Sequence, residues 1–350
     1  MTRLHTSRII PVAMLALAAV LPAAAASPAA AAAKTYTITD LGSLGFGESD
    51  PSALNATGQV TGLSYLSKTF TYPCGYPVRT CTAHLSHAFL YGNGTMTDLG
   101  TLGGNDSQGD AINASGQVAG NSQTRTTGIN GTHAALWSGK KAIDLGALAP
   151  LAGSYSIAYG ISDSGQVVGS WGLNYGSHPF LYSNGTITSL PEPGFATNGC
   201  EARAINSFGQ IAGMCTDASG STHLVMWQNG TITNLGTLAG VESVAINSNG
   251  HIPGTVFTGG TTGGFLYRNG TITNLGSFAP NAINDNGVMV GGSSIDSGGT
   301  VQDLNSLIPA GSGYQIQIAG GINGTGQIVA YASYSTQNLS QHAVLLNPSS

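Results

Sequence analysis

The sequence predicts an all-β fold, a β-propeller of about seven four-stranded blades that is closed by pairing of its N- and C-terminal strands. One hairpin motif recurs along the chain, a second hairpin with an Asn-Gly turn alternates with it, and together they form units of about 45 residues. That period is the length of a four-stranded blade, and the units lack the periodicity of helices. Two hairpins per unit therefore predict four strands per blade.

The first hairpin has the pattern Ala-Ile-Asn-x-x-Gly-Gln-Val-x-Gly, in which two short apolar strands flank a turn. Its Asn is suited to hydrogen-bond its own backbone, and its first Gly supplies the positive φ that the turn needs. The copies occupy residues 53–62, 111–120, 160–169, 204–213, 245–254, 282–291 and 321–330. Their regular recurrence makes the repeat the basis of the fold prediction.

The second hairpin joins a strand of the type His-Ala-Phe-Leu-Tyr to a strand of the type Thr-x-Thr-Asp-Leu-Gly, as in residues 87–100. Its Asn-Gly pairs lie at residues 93–94, 184–185, 229–230 and 269–270. Asn-Gly between two alternating strands predicts a two-residue type I′ turn.

The number of blades depends on the sixth unit, residues 274–302, which is short and lacks a recognisable His-Ala-Phe strand. The units begin near Asp40, Asp98, Asp144, Ser189, Asn234, Asn274 and Asp303. Seven blades are favoured, and six full blades with a remnant is the alternative. Residues 36–42 resemble a fourth strand without a third, and residues 342–346 a third without a fourth, so the two ends are expected to complete one blade. An open β-solenoid is the other architecture compatible with repeats.

The composition limits the partners. Only 7% of the residues are charged and the net charge is -5, so the chain offers no basic surface for nucleic acid. The 52 glycines are spread along the whole length, which favours many tight turns over one flexible linker. We expect no nucleic-acid partner, no membrane association and a monomer.

The N-terminal residues 1–33 have a basic start, an apolar stretch and Ala-x-Ala sites, which predict a secretory signal peptide, with an uncleaved membrane anchor as the alternative. Residues 34–350 then form a single repeat domain of an exported protein. Export favours disulfides, and we expect the pairs Cys74–Cys81 and Cys200–Cys215. Cys200 and Cys215 are equidistant from the turn at residues 206–209, so the hairpin places them opposite each other.

Together, the Ala-Ile-Asn-x-x-Gly-Gln-Val-x-Gly hairpin, the His-Ala-Phe-Leu-Tyr/Trp strand and Asp-Leu-Gly-Thr-Leu-Gly-Gly resemble the bacterial extracellular repeat proteins of the HAF family. The resemblance spans essentially all of residues 34–350. It implies an exported bacterial repeat protein with no settled activity, and it brings no catalytic residues. The chain departs from the pattern at Gly263, where His is expected, at Ser162, where Asn is expected, and in the shortened sixth unit.

Five histidines occupy one phase of the repeat: His87, His133, His178, His223 and His342. A catalytic base or metal ligand is needed once, where unlike groups converge, so five copies favour a structural role. We expect each imidazole to satisfy polar groups where neighbouring blades meet. The Asp of the second hairpin is replaced by Asn at two units, which favours a hydrogen-bonding turn residue. The sequence predicts no metal site and no cofactor.

Candidate ligand-binding residues are those that do not repeat. The acids between one unit and the next are expected on loops at one face of the ring: Glu48, Asp50, Asp106, Asp110, Glu192, Glu201 and Glu242. All of these except Glu192 are candidate ligand-binding residues. Residues 64–86 form an insertion, expected to be a rigid aromatic loop that carries Tyr72 and Tyr76 beside the Cys74–Cys81 disulfide. The opposing interpretations are acids that only keep the protein soluble and an insertion without a partner.

These observations favour a secreted, non-catalytic β-propeller that acts as an extracellular binding or scaffold module for a glycan or a protein. No catalytic residue is predicted under this hypothesis. The alternative is a carbohydrate-active hydrolase or lyase that uses the acidic residues, because paired carboxylates are the usual machinery of such enzymes.

Overall fold

The computed structural model describes residues 35–76, 79–126, 131–172, 176–334 and 341–349. The predicted signal peptide, residues 1–33, lies outside the described residues. The described chain is all-β, with a short 3-10 helix at Leu304–Ser306. Among these residues, no helix is long and apolar enough to span a bilayer.

The strands are numbered in chain order, and the first, β1 (Tyr36–Asp40), belongs to a sheet formed mainly by the end of the chain. The next eight strands form a sheet of two antiparallel halves that are linked by the parallel pair of Ser86 and Asp106. Its first half contains β2 (Ser49–Leu54), β3 (Val60–Cys74), β4 (Arg79–Gly92) and β5 (Thr95–Gly100). Its second half contains β6 (Gly103–Ile112), β7 (Val118–Thr124), β8 (Thr132–Ser138) and β9 (Lys141–Asp144).

The remaining strands form four-stranded antiparallel sheets. The first two contain β10 (Ser156–Ile161), β11 (Val167–Trp171), β12 (His178–Ser183) and β13 (Thr186–Ser189), then β14 (Cys200–Ile205), β15 (Ile211–Thr216), β16 (Thr222–Gln228) and β17 (Thr231–Leu238). The next two contain β18 (Val241–Val244), β19 (Ile252–Thr258), β20 (Thr261–Arg268) and β21 (Thr271–Asn274), then β22 (Ala282–Ile283), β23 (Met289–Gly291), β24 (Ser294–Ser297) and β25 (Thr300–Asp303). The last contains β26 (Tyr314–Ile322), β27 (Ile328–Tyr334), β28 (Gln341–Pro348) and β1. The short sixth unit thus forms its own four-stranded sheet, β22–β25, despite lacking the His-Ala-Phe sequence.

The predicted pairing of the chain ends is observed. Strand β1 pairs antiparallel with β28, with Tyr36 opposite Pro348 and Asp40 opposite Val344. Each strand thereby covers what would otherwise be an exposed edge of the other.

Both turn types follow from their residues. Asn93 and Gly94 have φ of 51° and 76°, which is the type I′ geometry predicted for Asn-Gly. In the first hairpin, the side-chain Oδ1 of Asn55 accepts hydrogen bonds from the backbone N–H groups of Thr57 and Gln59, at 3.1 and 3.0 Å. The Asn therefore holds the turn closed, as its side chain allows.

The final Gly of the motif makes room for a β-bulge in the preceding strand. In β14, Ala202 pairs with Gly213 and Ala204 with Ala212, so Arg203 is an extra residue. A Cβ at Gly213 would collide with the carbonyl oxygen of Glu201. The same carbonyl contact recurs at Gly62, Gly120 and Gly169. A conserved feature of the repeat thus permits a local bend that re-aims one side chain per sheet.

The first strands of successive sheets lie against one another. Contacts join β2 to β6, β6 to β10, β10 to β14, β14 to β18, β22 to β26 and β26 to β2. At the motif Asn of these strands, the side-chain Nδ2 donates to the carbonyl oxygen of the same position in the next unit. These hydrogen bonds run from Asn55 to Asn113, Asn113 to Ser162, Asn206 to Asn247, Asn247 to Asn284, Asn284 to Asn323 and Asn323 to Asn55, at 3.0 to 3.2 Å.

This asparagine series is interrupted at Ser162, which has no amide to donate to Asn206. Residues of the same repeat positions from six units, including Asn55, Ser162 and Asn323, line one cavity of about 300 Å³. These positions therefore converge on a shared space at one end of the first strands.

The hydrophobic core is divided among the spaces between neighbouring sheets. One cluster packs Ala212 and Leu224 against Val241 and Phe265, from the β14–β17 and β18–β21 sheets. Another joins Val60 and Phe89 to Val329 and Leu345, so the last sheet of the chain packs on β2–β5. Burial of side chains between sheets, at roughly 1.5–3 kcal/mol for a large apolar side chain, favours this arrangement over isolated sheets.

The insertion at residues 64–86 was predicted to be a loop, but its residues form paired strands. It extends β3 and β4 into a long hairpin, with a register shift between Tyr65 and Thr69, and we call residues 66–85 the arm. The expected Cys74–Cys81 disulfide is present and bridges the two strands of the arm near its tip. Thr and aromatic residues alternate at residues 69–72, and Thr80 and Thr82 lie in the returning strand, so pairing continues beyond the repeat because such residues suit strands.

Candidate functional site

The five histidines in one phase of the repeat each pair with a carboxylate. The pairs are His87–Asp98, His133–Asp144, His178–Glu192, His223–Asp217 and His342–Asp40, at 2.9, 2.8, 2.7, 3.0 and 2.8 Å. We expected these imidazoles to satisfy polar groups where neighbouring blades meet, and each of them does engage a polar group. Each carboxylate belongs to the same sheet as its histidine or to a segment adjoining that sheet, because the third and fourth strands of a unit bring the two positions together.

The acid partner changes where the repeat changes. His87, His133 and His342 use the Asp of the second hairpin. Where that residue is Ser189, His178 instead contacts Glu192, and where it is Asn234, His223 contacts Asp217. Where His is replaced by Gly263, the acid position is Asn274. That unit lacks both the histidine and the carboxylate, whereas the β22–β25 sheet keeps Asp303 at the acid position and contains no histidine.

The repeated Asp or Asn also closes a turn. The side-chain Oδ1 accepts the backbone N–H of the second following residue at Asp98, Asn234 and Asn274, at 2.7, 3.0 and 2.7 Å. This agrees with the predicted hydrogen-bonding role, for which Asn and Asp are interchangeable. The recurring polar groups thus serve the internal structure of each unit.

Most of the non-repeating acids lie in strands, so their prediction as loop residues is wrong. Asp50 lies in β2, Asp106 and Asp110 in β6, Glu201 in β14 and Glu242 in β18. Glu48 immediately precedes β2, and Glu192 follows β13 and is held by His178. The first strand of each of these sheets begins before the apolar part of its sequence. At its start, side chains that face the core alternate with side chains that face a polar space.

Carboxylates and tyrosines share that polar space. Burial is the largest cause of the raised pKa of Tyr65, and the charges of Glu48, Asp50 and Asp106 raise it further. Burial and the charges of Glu201 and then Asp110 raise the pKa of Tyr155. The pKa of Asp50 is also raised, because protein atoms surround its carboxyl although part of it remains accessible. The potential at this end of the first strands is therefore negative.

A cavity of about 690 Å³ lies among the β10–β13, β14–β17 and β18–β21 sheets. We call it the bulge cavity. Its lining includes Tyr155, Tyr159, Glu201, Arg203 and Glu242. Neither Tyr72 nor Tyr76 lines it, and both side chains are exposed on the arm.

Several of the charged and aromatic groups around this cavity are the extra residues of β-bulges. The register places Tyr159 between Ala158 and Gly160, Arg203 between Ala202 and Ala204, and Glu242 between Val241 and Ser243. Asp110 is the corresponding residue of the neighbouring strand β6. A bulge leaves its extra residue out of the ladder and changes the direction of its side chain. The repeat thus offers one adjustable position per sheet, and here it carries functional groups.

Glu201 and Arg203 form an ion pair at 2.5 Å between Oε2 and Nη2. The guanidinium also lies 4.2 Å from the ring centroid of Tyr159, within the range of a cation–π contact. The Nε of Arg203 is buried and has no hydrogen-bond partner among the described residues. An unpaired buried donor is unfavourable by roughly 1–3 kcal/mol, so this atom is suited to an acceptor supplied from the cavity.

Burial raises the pKa of Asp110 to about 7, despite the opposing effects of a hydrogen bond from Asn121 and the charge of Arg203. Its carboxyl therefore exchanges a proton near neutral pH, which the carboxyl groups of surface aspartates do not. Within the described residues, no group of three or more His, Cys, Asp or Glu side chains is placed to hold a metal ion.

The expected Cys200–Cys215 disulfide is present, with the two residues directly opposite in β14 and β15. It lies next to Glu201 in the strand that carries the ion pair. Sequence reasoning identified Glu201 and Glu242 but missed Tyr155, Tyr159 and Arg203. Their signal was available, because Tyr159 and Arg203 both lie three residues before the motif Asn or its replacement, at a position that varies widely among the units.

No protein-family model matches the chain. No curated protein matches it either. Among solved structures, the chain is similar to TolB from Acinetobacter baumannii, with 14% identity, coverage of 80% of this chain and 79% of that chain, and a TM-score of 0.40. It is similar to the β-propeller domain of the Trilobed protease from Pyrococcus furiosus, with 8% identity, 89% and 93% coverage, and a TM-score of 0.38. It is also similar to the six-bladed β-propeller lectin of Aleuria aurantia, with 13% identity, 90% and 96% coverage, and a TM-score of 0.39.

Proposed function

We propose that this chain is a secreted, non-catalytic β-propeller of the HAF family that acts as an extracellular binding or scaffold module for a glycan or a protein. The propeller has about seven four-stranded blades. They form a ring, which β1 closes by completing the last blade. The bulge cavity is its binding site. The observation that carries the proposal is that the repeating histidines each bond to a carboxylate, whereas the bulge cavity is lined by charged and aromatic side chains that do not repeat, such as Tyr159, Glu201 and Arg203.

The ring is supported by contacts between the two ends of the repeat array. Asn323 donates to the carbonyl of Asn55, and Val329 and Leu345 pack with Val60 and Phe89. An open β-solenoid stacks its units along a line, so its first and last units do not meet. The pairing of β1 with β28 adds the strand exchange expected of a closed propeller.

Secretion is supported by the two disulfides and by the sequence of residues 1–33. Disulfides persist in oxidising compartments and are rare in the cytosol. The resemblance of the hairpin motifs to the HAF family gives the same expectation.

Binding without catalysis is supported by the histidines. Each of the five is engaged with a carboxylate of its own unit, so none lies in the bulge cavity as a general base. The cavity volume of about 690 Å³ falls in the range of sites for small molecules or chain ends.

A glycan array and a pull-down with purified extracellular proteins test the proposal. Three proteins are compared: residues 34–350, the same protein with Glu201→Gln, and one in which Asn-Gly replaces the arm. The arm is removable in this way because Tyr65 and Ser86 lie opposite each other in the ladder. Saturable binding that Glu201→Gln weakens supports the proposal. Binding by none of the three, or turnover of a bound glycan, overturns it.

A carbohydrate-active hydrolase or lyase is the second candidate function, favoured by one observation. Asp110 has a pKa of about 7 and lies within electrostatic reach of the ion-paired Glu201–Arg203 couple. Carboxyl groups in such different environments are the usual basis of acid and base roles in glycoside cleavage. A polysaccharide degradation screen with Asp110→Asn, Glu201→Gln and Glu242→Gln tests it. Product formation that all three variants retain removes these residues as the machinery.

A further inference from the structure

We infer that the bulge cavity binds the neutral, hydroxyl-rich end of a saccharide, held between the Glu201–Arg203 pair and the rings of Tyr155 and Tyr159. This inference rests on the proposed function and specifies the ligand class of the same site.

The lining is rich in groups that hydrogen-bond to hydroxyls. It contains hydroxyl and amide side chains around its rim and wall: Ser170, Ser177, Asn198, Thr216 and Thr222. Each of these side chains both donates and accepts, which matches the dual character of a sugar hydroxyl. The apolar contribution is limited to a few side chains, such as Ile157, Met214 and Val241. A purely apolar ligand would leave most of this polar wall unsatisfied.

The ion pair presents acceptors and donors side by side. The carboxylate of Glu201 accepts hydrogen bonds from hydroxyls, and the guanidinium of Arg203 donates to hydroxyl oxygens. Its Nε is buried and lacks a hydrogen-bond partner among the described residues, so the guanidinium has donor capacity that the protein does not use. Adjacent hydroxyls of one sugar ring are spaced to engage such a pair together.

The tyrosines supply flat surfaces. Tyr159 is fixed on one face by the Arg203 guanidinium, 4.2 Å from its ring centroid. Tyr155 stands four residues earlier in the same region, partly exposed at the start of β10. Aromatic side chains with one apolar face and one polar tip are suited to ligands that are themselves amphipathic, such as sugar rings.

The charge of the site selects against anions. Glu201 and Glu242 line the cavity with the single cation Arg203, which is already neutralised by Glu201, so the lining carries a net negative charge. Burial, and after it the charges of Glu201 and Asp110, raise the pKa of Tyr155. A saccharide bearing a carboxylate or sulfate would be repelled, since like charges at these distances are unfavourable in a partly desolvated site.

Three departures from the repeat coincide at this place in the fold. The asparagine series is interrupted between Ser162 and Asn206, at the ends of β10 and β14. The same two strands carry Tyr159 and Arg203, and the Cys200–Cys215 disulfide ties β14 to β15. A repeat that is otherwise regular is therefore altered at the sheets that line the cavity.

Isothermal titration calorimetry with residues 34–350 tests the inference. The probes are neutral mono- and disaccharides of glucose, galactose, mannose and fucose, with glucuronate, galacturonate and spermidine as charged comparisons. The cavity variant is Glu201→Gln combined with Arg203→Gln, which removes both charges and leaves neither unpaired. Glu192→Gln is the matched control, because it makes the same carboxylate-to-amide change at a residue outside the cavity lining.

We expect a neutral saccharide to bind, with affinity reduced about tenfold or more in the double variant and unchanged in Glu192→Gln. Tyr155→Ala, at the edge of the cavity, is expected to weaken binding about several-fold and keeps the test valid if the double variant unfolds. Preference for the uronates or spermidine, or equal affinity in the cavity variants, overturns the inference. A glycan or protein bound elsewhere would leave the role as a binding module standing but would remove the bulge cavity as its site, whereas binding of no ligand class in the array and pull-down removes both proposals.

Discussion

The side-chain Nδ2 of Asn323 donates a hydrogen bond to the carbonyl oxygen of Asn55, 3.1 Å away, although 268 positions separate them in the chain. The same bond links neighbouring units elsewhere in the asparagine series, at separations of 37 to 58 positions. One interaction, encoded once in the repeat, therefore acts both between sequence neighbours and between the ends of the array.

Ser162→Asn is expected to complete the asparagine series by donating to the carbonyl of Asn206. Both residues line the cavity of about 300 Å³ at this end of the strands, so there is room for the larger side chain. One added buried hydrogen bond stabilises by about 1 kcal/mol, which corresponds to roughly 2 °C in Tm. Differential scanning calorimetry measures the shift. Asn113→Ser, the reverse exchange at an intact link, is the control and is expected to lower Tm by a similar amount.

Removing the Cys200–Cys215 disulfide is expected to destabilise the main unfolding transition by about 3 kcal/mol, as for a loop of this length. The bridge spans 15 positions inside a sheet, and both residues are buried. Removing Cys74–Cys81 is expected to leave that transition nearly unchanged, because the arm is exposed and extends beyond the repeat. Paired Cys→Ala variants compared by urea unfolding distinguish the two. Equal losses would show that the arm contributes to the core.

Asp110→Asn is expected to stabilise the protein more at pH 8 than at pH 5. The folded pKa of about 7 lies above the unfolded value near 4, so the folded state retains a proton that the unfolded state has lost. Stability from this group is therefore complete below pH 4 and declines by up to about 1.4 kcal/mol per pH unit until pH 7. The variant lacks that decline. Urea unfolding at pH 5, 6, 7 and 8 measures the difference, and parallel profiles for the two proteins would contradict the assignment.

His223 is expected to carry its proton on Nε2, while the other four repeat histidines carry theirs on Nδ1. A carboxylate only accepts, and His223 meets Asp217 through Nε2, whereas its Nδ1 faces the amide donor of Asn234 at 3.2 Å. His87, for example, meets Asp98 through Nδ1. Long-range ¹H–¹⁵N NMR correlations at high pH, where imidazoles are neutral, separate the two tautomers. Asp217→Asn combined with Asn234→Asp, which places the carboxylate at Nδ1 instead of Nε2, is expected to move His223 to the Nδ1–H form, and an unchanged spectrum would refute the hydrogen-bond assignment.

The turns, the disulfides and the pairing of the chain ends could be predicted from the sequence. Asn93 and Gly94 adopt the predicted type I′ turn because positive φ is a property of those two residues and needs no distant partner. Cys200 and Cys215 meet because their equal distance from the turn fixes the register of one hairpin. The pairing of β1 with β28 was predictable for a similar reason, since each end showed the pattern of a strand that lacked its neighbour.

The partners of the polar side chains were decided by tertiary structure. Ser189 occupies the position that carries the acid in other units, so His178 pairs with Glu192 instead. This replacement partner can be identified only once the strands are in place. Arg203 and Tyr159 face the cavity because bulges shift them out of the strand alternation, and a period of two cannot reveal where that alternation breaks. The sequence by itself determined the hairpins, the disulfides and the repeat, since these depend on residues close in the chain. Which side chains share one cavity depended on the approach of separate sheets, and only the packed structure brings them together.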